Sequence, residues 1–353
     1  MKGLVLAGGT GSRLRPITYS MAKQLVPVAN KPIIEYGLED LVAAGVTEVG
    51  IVISPQTGDD IRTAVRSCSD RIGFNPTFVL QDEPLGLAHA LKTALPFVDG
   101  DDCLMYLGDN LVKGGVADVV RDFETHHPNC QIMLSPVDNP SSFGVADLAE
   151  DGSIRHLVEK PAVPPSNLAL VGVYLFDGTI SEAVESIEPS ARGELEITDA
   201  IQYLVDHGRT VRASIVSGWW KDTGTKDDLL AAQHLVIGEL DGKIEGEVID
   251  SEVRGEVRVG RGSRIVDSRL VGPVVIGEDV QVTRSTIGPE ASIGDGSDIA
   301  DAAVEASIVM DGSTVLGWKI RSSILGHNTK LHGAGPAGFV EMTLGEQSEV
   351  LGD

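Results

Sequence analysis

The sequence is poor in cysteine and in long apolar segments. Three widely spaced cysteines among 353 residues provide neither a disulfide framework nor a zinc site of the usual spacing, so a reduced, intracellular protein is expected. No apolar run reaches the length needed to span a membrane, and the amino-terminal residues lack the layout of a signal peptide. The sequence therefore predicts a cytoplasmic protein without a membrane partner.

Basic residues are also scarce. The chain has 28 Lys and Arg against 52 Asp and Glu, which gives a formal net charge of −24. This charge argues against general binding to nucleic acids, so any nucleotide must be held by a local site. The length is sufficient for two domains, each with an apolar core.

The most informative segment is LVLAGGTGSRL at positions 4–14. Its apolar start predicts a buried strand, and the glycines that follow predict a tight loop at the carboxyl end of that strand. Glycines let backbone N–H groups approach a polyphosphate, while Arg13, Arg15 and Lys23 add cationic donors before the first acid of the chain, Glu35. The segment fits neither the P-loop nor the dinucleotide-binding pattern, so a plain strand–turn–helix connection is the alternative.

The pattern of the chain up to about residue 235 predicts an α/β domain. Strand and helix patterns alternate there, which is typical of a Rossmann-like, mostly parallel sheet covered by helices. Strands are expected at 3–7, 48–54, 76–81, 103–107 and 131–137, and helices near 32–44, 58–68, 86–95 and 115–126.

After about residue 240 the pattern changes. Apolar residues recur every five or six positions, with Gly, Asp and Ser between them, which is typical of a parallel β-helix made of hexapeptide repeats. The repeat positions are Val253, Val259, Ile265, Val271, Ile276, Val282, Ile287, Ile293, Ile299, Val304, Val309, Val315 and Ile320. An ordinary β-sandwich fits less well because its strands do not repeat at short fixed intervals. We therefore expect domains at 1–238 and 239–353.

Two acids follow strand-like segments far apart in the chain. Asp109 ends the apolar run that begins at Leu104, and Asp222 lies in a turn after Trp219 and Trp220. Two carboxylates can hold one Mg²⁺, because this ion takes few protein ligands and fills its octahedron with water and phosphate oxygens. Either acid alone would be a common turn residue.

Two glutamines could read a pyrimidine base. A glutamine amide offers both a donor and an acceptor, which matches the O4 and N3–H edge of thymine or uracil. Gln24 follows Lys23, and Gln81 precedes an Asp-Glu-Pro turn. Each alone would more commonly be a surface residue.

The segments LAGGTGSRLRPIT and KQLVPVANKPIIEY resemble the signature of the sugar-1-phosphate nucleotidyltransferases, and among them the enzymes that couple dTTP to glucose 1-phosphate. The resemblance covers nearly the whole chain, including the left-handed β-helix of the family's longer form. It implies a Mg²⁺-dependent transfer of dTMP to α-D-glucose 1-phosphate that yields dTDP-glucose and pyrophosphate. This is the first step of dTDP-deoxysugar synthesis. A homo-oligomer, dimer or tetramer, is expected separately, because β-helices present flat faces and commonly assemble.

The resemblance also assigns roles to particular residues. The catalytic residues would be Arg13, Lys23 and Lys160. The nucleotide would contact Leu6, Gly8, Gly9, Gly11, Ser12, Gln24, Gln81, Pro84, Gly86 and Asp109. The sugar phosphate would contact Gly144, Glu159, Lys160, Val171 and Glu194. Asp109 and Asp222 would bind the metal. Near Glu194, we also expect Thr198 or Asp199 to cap a helix over Ala200–Val205.

Three alternatives stay open at this point. The same scaffold could use UTP or another nucleoside triphosphate, because the base contacts depend on few residues. The β-helix could add acyl transfer, with His327 or His332 as the base. A catalytically silent regulatory subunit is disfavoured because Arg13, Lys23 and both metal acids are present.

Overall fold

The computed structural model describes residues 1–352, which form two compact units. One unit comprises Met1–Thr10 and Ile33–Asp222, and the other comprises Gly11–Pro32 together with the chain from Thr223 onward. Each has its own apolar core. Within residues 1–352, none of the helices has the length and apolarity needed to cross a bilayer.

The predicted alternation of strands and helices is confirmed in the first part of the chain. The helices are α1 Ile33–Ala43, α2 Gly58–Ile72, α3 Leu87–Val98, α4 Ala117–His126, α5 Ile180–Ser186, α6 Ile197–Asp206 and α7 Lys226–Ile237. The strands up to residue 222 are β1 Lys2–Leu6, β2 Pro27–Val28, β3 Lys31–Pro32, β4 Glu48–Ile53, β5 Asn75–Leu80, β6 Cys103–Leu107, β7 Asn110–Val112, β8 Cys130–Pro136, β9 Gly144–Leu148, β10 Ile154–Glu159, β11 Leu168–Phe176, β12 Val211–Ile215 and β13 Trp220–Asp222.

The first unit is built on a nine-stranded mixed sheet. Its main order is β10-β9-β11-β6-β1-β4-β5, and β8 pairs with both β11 and β12. The four strands β5, β4, β1 and β6 are parallel, whereas β11 runs antiparallel to β6 and β8. The central strand β1 is buried on both faces, since Leu4 and Val5 are fully inaccessible, and each such side chain contributes about 1.5–3 kcal/mol by its burial.

The carboxyl ends of the parallel strands lie level with each other. Leu6 is paired with both Val52 and Leu107, and Ile53 is paired with Leu80. The backbone amides just beyond the strands continue this alignment, because Gly108 N donates to Leu6 O at 3.0 Å. The loops after β1, β4, β5 and β6 therefore leave the sheet at one edge, where α/β proteins bind their ligands.

The second unit contains a left-handed parallel β-helix. Its strands form three parallel sheets of seven, seven and five strands. The strands are β14 Lys243–Ile244, β15 Glu247–Ile249, β16 Glu252–Arg254, β17 Val257–Val259, β18 Arg264–Val266, β19 Arg269–Val271, β20 Val274–Ile276, β21 Gln281–Thr283, β22 Thr286–Ile287, β23 Ala291–Ile293, β24 Asp298–Ala300, β25 Ala303–Glu305, β26 Ile308–Val309, β27 Thr314–Leu316, β28 Lys319–Arg321, β29 Ile324–Leu325, β30 Lys330–His332, β31 Thr343–Leu344 and β32 Glu349–Leu351. Equivalent positions are 17 residues apart in the earlier coils and 16 in the later ones.

One of the predicted repeat positions, Val271, is wrong. Leu270, and not Val271, is fully buried and lies in the apolar column between Val253 and Ile287. Val253 is 36% exposed because its strand, β16, is at the open edge of its sheet. The step from Ile265 to the next buried apolar residue is five positions, which places Leu270 in the core. Apolar spacing alone could not distinguish Leu270 from its neighbour Val271.

Helix α7 packs on the β-helix through one buried side chain. Gln233 is fully buried, and its Nε2 donates to Glu290 O at 3.1 Å and to Ser307 O at 2.9 Å. Its Oε1 accepts a 2.8 Å hydrogen bond from Ser292 Oγ. Asn30 Nδ2 likewise donates to Ile293 O at 2.6 Å. These contacts explain why α7 and residues 11–32 belong to the same compact unit as the β-helix.

Candidate active site

A cleft opens at the carboxyl edge of the mixed sheet. Its walls come from the loops after β1, β4 and β5: Gly8, Thr10, Ser54, Gln56, Gln81, Asp82 and Pro84. A Cβ atom on Gly8 would lie 3.5 Å from Gln81 Oε1 and 3.7 Å from Ser54 N, so a side chain there would occupy the cleft. Leu6 ends the buried strand below it, and Gly9 is exposed beside it. The structure therefore brings the predicted residues Gly8, Gln81 and Pro84 together.

The amide of Gln81 is held in one orientation. Its Nε2 lies 3.4 Å from Gly86 O and 2.9 Å from Nδ1 of His89, and the whole residue is only 9% exposed. Both partners occupy the nitrogen side of the amide. No hydrogen bond to Oε1 is found within residues 1–352, and this oxygen lies on the Gly8 side. Gln81 thus presents an acceptor toward the cleft.

Gly86 is a glycine because of its contact with Leu195. Its φ of 106° is in the region that favours glycine, and a Cβ there would lie 2.4 Å from Leu195 O. Two backbone hydrogen bonds fix the contact: Leu195 N donates to Leu85 O at 2.7 Å, and Ala88 N donates to Leu195 O at 3.0 Å. The resemblance assigns Gly86 to the nucleotide, and within the protein its close approach is to Leu195.

The pairing of β7 with β13 brings Asp222 beside the residue that follows Asp109. Strands β7 and β13 are antiparallel, and Asp222 is paired with Asn110, the residue directly after Asp109. Within residues 1–352, no cluster of three or more His, Cys, Asp and Glu side chains is suited to a metal ion. A pair of carboxylates nevertheless fits Mg²⁺, which takes most of its ligands from water and phosphates. The donor set is therefore compatible with the predicted ion.

Two further residues orient Asp109, and sequence reasoning missed both. Asn110 Nδ2 donates to Asp109 Oδ1 at 2.9 Å, and Trp220 Nε1 donates to Asn110 Oδ1 at 2.5 Å. Asn110 is only 3% exposed, so this relay is shielded from water. The Trp220 ring also packs edge-on against Phe143 at a centroid distance of 5.3 Å. The adjacency of Asn110 to a predicted metal ligand was the available signal.

Gly144, Glu159 and Lys160 form a second group at the end of the β9–β10 hairpin. Glu159 is paired with Gly144, and a Cβ on this glycine would lie 3.0 Å from Glu159 Oε2. Lys160 has a φ of 41°, a conformation that costs a non-glycine residue about 1–2 kcal/mol. A 3.0 Å hydrogen bond from Lys160 N to Phe143 O helps to maintain it. Backbone strain of this kind is frequent at functional sites.

Arg192 links the acids of this group. Its guanidinium lies 3.4 Å from Glu159, 3.1 Å from Glu194 and 3.2 Å from Glu196. Burial raises the pKa of Glu196 above its usual range, although the hydrogen bond from Ser190 opposes this change. The sequence reasoning gave Arg192 no role. Its position two and four residues before Glu194 and Glu196 was the available signal.

Two other predictions concern the same region. Val171 is fully buried in β11, within the irregular register between Leu170 and Tyr174, so its side chain faces the core.

The expected cap at Thr198 or Asp199 is wrong, because α6 begins at Ile197. The buried Thr198 instead directs its hydroxyl to Glu159 Oε2 at 3.4 Å. Polar residues in a first turn resemble a cap in sequence, so the helix start was placed too late.

Residues 11–32 carry the other predicted residues. Gly11 has a φ of 60° and precedes the short 3₁₀ helix Ser12–Leu14, and its carbonyl accepts a 2.6 Å hydrogen bond from Thr18. The guanidinium of Arg13 packs on Gly224, where a Cβ would lie 2.8 Å from Nη2.

Lys23 and Gln24 are buried, at 7% and 2% exposure. A buried lysine or amide is costly unless its polar atoms are paired. Gln24 Oε1 has no hydrogen-bond partner among residues 1–352.

A glycine loop at a strand end, a paired-carboxylate site and a pyrimidine-matching amide together define a nucleotide-handling protein of the α/β class. The chain belongs to the nucleotidyl transferase family, whose model matches residues 2–238. It is 48% identical over 336 residues to a glucose-1-phosphate thymidylyltransferase of Streptomyces griseus, with 95% of this chain and 94% of the relative covered. A protein of the same name from Streptomyces antibioticus is 46% identical, with 99% of each chain covered.

A solved structure also resembles part of the chain. A UDP-glucose pyrophosphorylase complexed with UDP-glucose superposes with a TM-score of 0.61 at 25% identity. The match covers 68% of this chain and 99% of that protein.

Proposed function

We propose that this chain is a thymidylyltransferase that couples dTTP to α-D-glucose 1-phosphate and releases pyrophosphate. The observation that carries the proposal is the acceptor of Gln81 in a glycine-walled cleft, at the same sheet edge as Asp109. Relatives of this name match almost the full length of the chain at 46% and 48% identity, which supports the substrate pair.

The reaction needs no general base. The nucleophile is an ionised phosphate oxygen of glucose 1-phosphate, which forms a bond to the α-phosphorus of dTTP. The bond from that phosphorus to the bridging oxygen breaks, and pyrophosphate leaves with the electron pair. Catalysis then consists of aligning two anions and stabilising the charge that develops on the α-phosphoryl group and the leaving group.

Cationic side chains have the main part in this chemistry. We assign Arg13 to the charge on the triphosphate, Lys23 to the α-phosphoryl group and Lys160 to the attacking phosphate. Asp109 and Asp222 would hold Mg²⁺, which supplies charge neutralisation of the phosphate oxygens when it is bound.

The acids around Arg192 are suited to the sugar. Glu159 can accept hydrogen bonds from two neighbouring hydroxyl groups, and such charge-assisted bonds are stronger than neutral ones. Gly144 N–H offers a donor on the opposite strand, and Glu194 lies on the far side of the Arg192 guanidinium. These residues would bind the glucose ring beside the phosphate that Lys160 holds.

The second candidate uses UTP in place of dTTP. Uracil and thymine present the same N3–H to Gln81 and differ by one methyl group, which is worth about 1–3 kcal/mol in a pocket. The similarity to a UDP-glucose pyrophosphorylase structure favours this candidate.

Pyrophosphate release should be measured for each triphosphate with several sugar 1-phosphates in the presence of Mg²⁺. The proposal expects the highest kcat/KM for dTTP with glucose 1-phosphate and a smaller value for UTP. Equal or higher turnover of UTP would replace the proposal by the second candidate, and the absence of coupling with every pair would refute both. Homo-oligomerisation, a cytoplasmic location and the domain boundary at residue 238 stay predictions.

A further inference from the structure

His89 lies directly behind the amide that faces the cleft. It is the third residue of α3, and its Nδ1 is 2.9 Å from Gln81 Nε2. The start of α3 is fixed independently by the 3.0 Å hydrogen bond from Ala88 N to Leu195 O. The imidazole is therefore presented to Gln81 from a rigid element.

The direction of this hydrogen bond follows from the chemistry of both groups. The Gly86 carbonyl can only accept, so the Gln81 nitrogen must face it. The same nitrogen then donates to His89 Nδ1, which requires a neutral imidazole with its proton on Nε2. With both acceptors on one side, Oε1 is turned toward Gly8 and the cleft.

This orientation distinguishes pyrimidines. Thymine and uracil carry a proton on N3 and can donate to Oε1, whereas cytosine has an unprotonated N3 that would face the oxygen with its own lone pair. If the amide were turned over, its NH₂ group would face the cleft and the preference would be reversed. The Gly86 carbonyl selects this orientation, but its contact is long, at 3.4 Å, and the 2.9 Å bond to His89 Nδ1 holds the amide in it.

We propose that His89 is a positioning residue for base selection: it fixes the Gln81 amide so that an acceptor faces the cleft, which favours thymine and uracil over cytosine. The proposal rests on the proposed function, because it takes the cleft as the site of the base.

The test compares His89→Leu with His89→Asn in the full-length chain. Leucine removes the acceptor, whereas the asparagine Oδ1 can occupy the position of Nδ1 and accept the same hydrogen bond. For each variant, kcat/KM is measured with dTTP and with dCTP at saturating glucose 1-phosphate. Binding of both nucleotides is measured by calorimetry, so that the readout does not depend on turnover.

In His89→Leu we expect the dTTP-to-dCTP ratio to fall by about tenfold, mainly through a higher KM for dTTP, because one orienting hydrogen bond is lost. His89→Asn should restore most of the ratio. The control His126→Leu removes a histidine of α4 whose Nδ1 contacts only Asp122, and it should leave the ratio unchanged.

An unchanged ratio in His89→Leu, or an equal loss for both nucleotides that asparagine does not rescue, would overturn the proposal. If His89→Leu does not fold, His89→Met removes the same acceptor and is measured in its place. Failure of the proposed function is recognised separately, since the unsubstituted protein would then bind neither dTTP nor UTP.

Discussion

Replacing Trp220 by phenylalanine tests how Asp109 is held. The substitution keeps an aromatic ring against Phe143, at a position where the centroids are now 5.3 Å apart. It deletes the Nε1 donor that binds Asn110 Oδ1 at 2.5 Å. The Asn110 amide then keeps its bond to Asp109 Oδ1 but loses the one that held its oxygen, so the side chain is less firmly placed.

Two effects of Trp220→Phe can be estimated. Asn110 is 3% exposed, so its oxygen is left unpaired away from water, and the free energy of unfolding should fall by about 1–3 kcal/mol. Residues that orient metal ligands typically change metal affinity by about 10–100-fold when they are removed. Because Trp220 acts through Asn110, we expect the lower end, about tenfold weaker apparent Mg²⁺ affinity.

The assay for Trp220→Phe is pyrophosphate release as a function of Mg²⁺ concentration, together with the shift of the thermal unfolding midpoint that Mg²⁺ produces. Trp318→Phe is the matched control. It also removes one indole donor, which binds His332 O at 3.1 Å in the β-helix, so it should lower stability without changing the Mg²⁺ dependence. If Trp220→Phe loses stability but keeps its half-saturating Mg²⁺ concentration within twofold of the control, the relay to Asp109 has no role in metal binding.

Three further predictions concern charge and backbone geometry. Arg13→Ala should lower kcat/KM by an amount equivalent to about 2.7–4 kcal/mol of transition-state stabilisation, the range for a lost oxyanion donor. Steady-state kinetics that show an unchanged kcat/KM would refute its role. Gly86→Ala should destabilise the protein by about 1–3 kcal/mol from backbone strain alone, and by more from the clash with Leu195, as measured by chemical denaturation. Burial raises the folded-state pKa of Glu196, so the contribution of this group to stability is fully present below its unfolded pKa and is lost as pH rises through its folded pKa. Glu196→Gln should therefore reduce the fall in the free energy of unfolding with rising pH. An identical slope in the variant would contradict the assignment.

The strands and helices that could be predicted are those whose pattern is local. The run through Leu6 and the run through Leu107 are apolar enough to mark buried strands, and their ends gave the correct edge of the sheet. The six-residue spacing predicted the β-helix for the same reason, because each coil repeats the same burial. At the five-residue step that follows Ile265 within one coil, the spacing predicted Val271, whereas the buried residue is Leu270.

The sequence suggested candidate site residues, but it could not predict the contacts between them. Asp109 and Asp222 are 113 positions apart, and only the pairing of β7 with β13 brings Asp222 beside the residue that follows Asp109. The local sequence around Asp109 does not indicate that Trp220 donates a hydrogen bond to the adjacent residue, Asn110. The type of a residue indicates what chemistry it can perform, but the pairing of strands that are distant in sequence determines which residues lie close enough to act together.

The amide of Gln81 shows why this difference matters for specificity. From sequence, a glutamine offers a donor and an acceptor equally, and thus fits several bases. In the fold, Leu195 fixes the loop at Gly86 and the start of α3, and these two elements place acceptors on one side of the amide. Under the proposal for His89, base preference depends also on the contact between Gly86 and Leu195, because this contact sets the direction in which the Gln81 amide accepts a hydrogen bond.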